Sequence, residues 1–83
     1  MDWPEWWAWE VELTPHLVKR MVDRGFNEVD LRLMIETAVG YHENHEEGRF
    51  AVETKHHGRR WTVIVEPSCD DHVLIVITAY PAD

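Results

Sequence analysis

Apolar and polar residues alternate from Trp7 to Leu13. Trp7, Trp9, Val11 and Leu13 share one face, and Ala8, Glu10 and Glu12 the other, which is the period of a half-buried strand. After Thr14-Pro15 the period lengthens. Thr can cap free N–H groups, and Pro at the first helical position sacrifices no hydrogen bond. Leu17 with Met21, and Val18 with Val22, are pairs four apart that the helix is expected to bury. Arg24-Gly25 ends it, with Gly suited to the left-handed position beyond the last turn. Asn27-Glu28-Val29-Asp30 opens a second helix with a cap and first-turn acids. Leu31, Met34, Ile35 and Ala38 form its apolar stripe, and Gly40 is expected to stop it. The polar run from Tyr41 to Gly48 reads as a loop.

The period then returns to two. Phe50 to Lys55 reads as a strand, and His57-Gly58 as a two-residue hairpin turn. Pairing across that turn sets Thr54 opposite Trp61, Val52 opposite Val63 and Phe50 opposite Val65. A slip of one residue would scatter the apolar partners over both faces. A further turn is expected over Glu66 to His72, then a last strand from Val73 to Tyr80, ended by Pro81. With Glu66 opposite His72, Val65 would meet Val73, Val63 would meet Ile75 and Trp61 would meet Ile77. Ile64, Leu74 and Val76 would line the other face, so that strand is apolar on both sides. The helices can cover one side; the Trp-rich start, a second copy or a partner would have to cover the other.

These elements give an α+β fold in the order β-α-α-β-β-β, with two helices packed on a twisted antiparallel sheet. Trp61, Val63 and Val65 are expected beneath the helices. One domain over 1–83 is expected, with residues 1–6 more loosely ordered. Four of the five tryptophans lie within the first nine residues. Trp7 and Trp9 are expected to cover the sheet, while Trp3 and Trp6 can also serve as exposed anchors for a partner.

Cys69 is the single cysteine, so no intrachain disulfide can form, which suits a reducing compartment. The start shows no signal peptide, and no apolar run is long enough to span a bilayer. The expected location is the cytoplasm, with no membrane partner. The net charge of -8, from 8 basic and 16 acidic residues, repels nucleic acid at long range. The charge is uneven, however: from Gly48 to Thr62 there are four cations and one acid.

Two groups of residues could carry chemistry. His16, Arg20 and Arg24 are spaced i, i+4, i+8 on the first helix, where a proton carrier beside a phosphate clamp is one reading and a solvated helix face is the other. Arg49, Glu53, Lys55, Arg59 and Arg60 lie on the polar side and tip of the hairpin. There Lys55 faces Arg60, a like-charge pair tolerated on a solvated surface or used where an anion binds. Glu53, diagonal to Arg60, can be a general base or a salt-bridge partner. His42, His45, His56 and His57 do not follow a zinc-ligand spacing, so neither metal nor other cofactor is expected.

The run from Leu13 to Asp30, with His16, Arg20-Met21, Arg24-Gly25 and the capped second helix, resembles a family of small bacterial domains of unknown function. Ile77-Thr78-Ala79-Tyr80 is similar to that family's last strand. The likeness extends from about Trp9 to Pro81, and the family stands near the BrnT and RelE/ParE-like toxins. The resemblance implies a RelE-like fold and a metal-independent mRNA endonuclease of a toxin–antitoxin system. It implies His16, Arg20, Glu53 and Arg60 as catalytic residues, and Arg24, Arg49, Lys55 and Arg59 as substrate-binding ones. Implied partners are an antitoxin protein and RNA or the ribosome, with a homodimer as a further arrangement. The alternative is a non-catalytic interaction module that uses an apolar sheet face and the Trp cluster.

Overall fold

The computed structural model describes residues 3–82. Met1 and Asp2, part of the segment expected to be loosely ordered, lie outside them, as does Asp83. A 3-10 turn at Glu5–Ala8 leads into β1 (Glu10–Leu13), α1 (Pro15–Arg24), α2 (Glu28–Glu36), β2 (Gly40–Glu43), β3 (Phe50–His56), β4 (Arg59–Ser68) and β5 (Val73–Pro81).

Each helix starts and stops where its end residues satisfy the backbone. The Thr14 hydroxyl accepts from the Leu17 N–H at 3.1 Å and lies 3.1 and 3.2 Å from the Val76 and Ile77 carbonyls, so the cap also ties α1 to β5. Gly25, at φ +70°, closes α1 in the left-handed conformation. Asn27 and Asp30 form a reciprocal capping box at the head of α2. Of the two i,i+4 pairs on α1, Leu17 is fully buried and Met21 packs on the core, but Val18 and Val22 are 48% and 81% exposed. The arc of α1 that meets β5 is taken by Leu17, Met21 and the Arg24 guanidinium, which donates to the Ala79 carbonyl at 2.6 Å. The two valines sit beyond its edge.

The five strands are ordered β1-β5-β4-β3-β2. All neighbours are antiparallel except β1 and β5, which run parallel, so the sheet is mixed. The β3–β4 hairpin has the expected register, and His57 and Gly58 occupy positive φ (53° and 75°), as its two-residue turn requires.

Three sequence expectations are corrected. The first strand begins only at Glu10, because Trp6 and Trp7 turn inward. Trp6 is buried, 5.2 Å from Phe50 and 5.5 Å from Tyr41 between ring centroids. The segment read as a loop contains β2, whose Tyr41 joins this aromatic group on the helix side of the sheet. The β4–β5 register also differs. Val65 pairs with Val76, Val63 with Ala79 and Trp61 with Pro81, with an irregularity beside Ile64. Because Val73 to Ile77 is apolar throughout, alternation could not choose between registers. β4 runs on through Pro67 and Ser68, the loop shrinks to Cys69–His72, and Leu74, Val76 and Ala79 turn to the core.

The core therefore lies on one side of the sheet. Leu17, Phe26, Leu31, Met34 and Ile35 pack onto Val52, Trp61, Val63, Val65, Leu74, Val76 and Ala79. Thr54 is the polar member of this face, and its hydroxyl donates at 2.6 Å to the Met34 carbonyl near the end of α2. The other face carries no covering element among the described residues.

Candidate functional site

Strand parity and register lay out the uncovered face as cross-strand rows. At the hairpin end, Lys55 stands opposite Arg60. Below them, Gly40, Glu53, Thr62 and Tyr80 form one row across four strands. His42, Ala51, Ile64 and Thr78 form the next. Below that, the Arg49 Nε donates to Glu66 at 3.1 Å, and Ile75 and Glu12 continue toward the edge.

The two middle rows floor an open depression of about 610 Å³. Ala51, Thr62 and Ile64 are buried at its base, while His42, Asn44, His45, Glu53 and Tyr80 rise around it. Glu53 is half-buried, and its carboxylate accepts from the Thr62 hydroxyl at 3.0 Å. Gly40, directly across from it on β2, contributes no side chain, so that flank of the carboxylate stays open. His42 is its diagonal neighbour on β2, and Arg60 its diagonal neighbour on β4. A carboxylate, an imidazole, a phenol and two cations thus share one face.

The structure separates the residues singled out in the sequence. Glu53, Lys55, Arg60 and Arg49 belong to the uncovered face, with Arg49 held between Glu46 and Glu66. Arg59 opens β4 at the hairpin tip opposite His56. His16, Arg20 and Arg24 belong to the helix layer on the opposite side of the sheet. His16 is exposed, Arg20 lies 3.6 Å from Asp23, and Arg24 is bound to Ala79. The four residues expected to act together therefore form two groups with the sheet between them.

His42 and Tyr80 were not among the expected site residues. His42 lay in a segment too polar to read as a strand, and only its pairing with Ala51 fixes the direction of the ring. Tyr80 reaches the face because of the irregularity beside Ile64. Without that shift, the odd positions of β5 would occupy it throughout.

A second hollow of about 240 Å³ lies between the N-terminal turn and α2, walled by Trp7, Trp9, Val11 and Ile35. The cation at its rim, Arg32, is 3.7 Å from Glu28, so this hollow offers less chemistry than the sheet face. Among the described residues, no group of three or more His, Cys, Asp or Glu side chains is placed to hold a metal ion. No helix there is long and apolar enough to cross a membrane.

No curated protein and no solved structure matches the chain. The model of one family, described as Domain of unknown function (DUF4258), matches residues 13–81, from the last residue of β1 to the last of β5. That span holds both helices and every row of the uncovered face but its Glu12 edge, and the chain belongs to the DUF4258 family.

Proposed function

We propose that this chain is a toxin-type domain of the RelE/BrnT kind that cleaves RNA on its uncovered sheet face without a metal. The supporting observation is that Glu53 and His42 line one open depression, with Arg60 the diagonal neighbour of Glu53 on β4. Cleavage by the 2′-hydroxyl needs a base for that hydroxyl, a donor for the departing 5′-oxygen and cations for the charged phosphorane.

In this reading Glu53 takes the 2′-hydroxyl proton; Thr62 orients its carboxylate, and Gly40 beside it has no side chain to exclude a ribose. The 2′-oxygen then bonds to phosphorus as the phosphorus–O5′ bond breaks, and His42 delivers a proton to O5′. The products are a 2′,3′-cyclic phosphate and a 5′-hydroxyl end. Arg60 and Lys55, one row away, neutralise the phosphoryl oxygens, and Tyr80 supplies a ring and a hydroxyl beside them. His16 and Arg20 have no part in this arrangement.

The test is cleavage of single-stranded RNA, alone and on ribosomes, by the wild type and by Glu53→Gln and His42→Ala. Each variant should lose activity by about 10²-fold or more, the usual contribution of a general acid or base. It should also relieve any growth arrest on expression. Wild-type protein that neither cuts RNA nor slows growth would end this reading. A non-catalytic interaction module is the second reading, favoured by the exposed Val18, Val22, Val29 and Leu33 on the helices. Light scattering that shows a dimer, lost on Val22→Lys with Leu33→Lys, would support it.

A further inference from the structure

The uncovered face is electrically graded along its strands. Lys55 and Arg60 face each other at the hairpin end. At the other end, Arg49 is already neutralised by Glu46 and Glu66. The β1 edge adds Glu10 and Glu12, whose register places them on the same face as Ile75. A polyanion held at the depression meets cations in one direction and carboxylates at the far end and along the β1 edge. Charges within about 8 Å of the chain are not screened away at physiological salt.

We infer that the substrate is the terminal stretch of a single strand, which enters over the β3–β4 hairpin and stops at the acidic rim. This inference rests on the RNA reading of the same face. Arg60 and Glu66 are six residues apart on β4, about 20 Å of strand, which accommodates about three nucleotides of extended chain. A phosphate on Lys55 and Arg60 sets the next one beside Glu53 and His42. A strand continuing past that point would bring further phosphates against Glu66 and Glu46. Cutting is therefore confined to bonds near an end. The like-charge pair fits the same scheme, because two cations placed opposite each other cost stability unless an anion lies between them.

The experiment uses the full chain and two sets of fluorescent oligonucleotides. The first set is uncleavable 2′-O-methyl strands of two to twelve nucleotides, read by anisotropy. Affinity should rise to about four nucleotides and then gain less than threefold up to twelve, because additional phosphates find no cation. A steady rise with length would overturn the inference. The second set is twelve-nucleotide strands with one cleavable ribose, placed terminally or centrally. The terminal site should be cut at least tenfold faster. Glu46→Gln with Glu66→Gln, which removes rim charge and leaves Glu53 and His42 in place, should narrow that gap to under threefold. Equal cutting at both sites by the wild type would overturn the inference while leaving the nuclease reading intact. If nothing is cut, the nuclease reading fails, and the length dependence of binding alone decides the inference: a plateau supports it, and a steady rise or no binding overturns it.

Discussion

Val63 and Ile64 are neighbours on the central strand, yet they belong to two different surfaces. Val63 is fully buried beneath the helices, whereas Ile64, 7% exposed, lies at the floor of an open depression. On the helix side every strand position but one is apolar between the ends of the sheet, and the exception, Thr54, is hydrogen-bonded to Met34. On the uncovered side, small and aliphatic residues form only a floor, Glu53, His42 and Tyr80 stand around it, and Lys55 and Arg60 pair one row away. Stability and chemistry are thus sorted by strand parity. The covered face excludes water and rewards volume, while the uncovered face keeps polar groups hydrated and accessible.

Substitutions at adjacent residues test this division most directly. Leu74, fully buried, and Ile75, its neighbour on the uncovered face, should respond unequally to alanine. Leu74→Ala should cost about 3 kcal/mol in urea unfolding, from lost burial plus the remaining cavity, and Ile75→Ala about 1 kcal/mol or less. A larger cost for Ile75→Ala than for Leu74→Ala would mean that the β4–β5 register has the opposite parity. The two threonines give a smaller contrast. Thr54→Val leaves the Met34 carbonyl buried without its donor and should cost about 1–3 kcal/mol. Thr62→Val removes only a donor to Glu53, whose carboxylate still reaches water, and should fall within about 0.5 kcal/mol of the wild type. The smallest effect belongs to α1. Val22→Lys, at a position 81% exposed, should leave stability within about 0.5 kcal/mol, which the expectation of a buried Val18–Val22 pair would not allow.

The parts of the fold legible in the sequence are those specified by local chemistry. Thr14-Pro15, Gly25 and the Asn27–Asp30 box set the helix ends. His57-Gly58 and the matched apolar parity of Phe50 to Lys55 and Trp61 to Val65 set one hairpin, including the Lys55–Arg60 and Glu53–Thr62 pairs. Where a segment was apolar on both faces, as from Val73 to Ile77, or polar throughout, as around His42, periodicity carried no signal. Only neighbouring strands could then assign a face. The candidate site followed the same division. Glu53 and Arg60 were placed by the hairpin, but their association with His42 and Tyr80, and their separation from His16 and Arg20, depend on contacts between residues distant in sequence.

The chain by itself determined two capped helices, one strand hairpin and the apolar underside of that hairpin, because caps, turns and alternation act over a few residues. Tertiary structure decided that β1 pairs parallel with β5, that β2 exists and that β5 turns its even positions inward until the irregularity beside Ile64 and Ala79 after it. It thereby decided which side of the sheet stays open. Those choices rest on strand pairing and on the fit of Leu17, Phe26, Leu31 and Met34 against the sheet, where burial favours one arrangement among several that the local pattern permits equally.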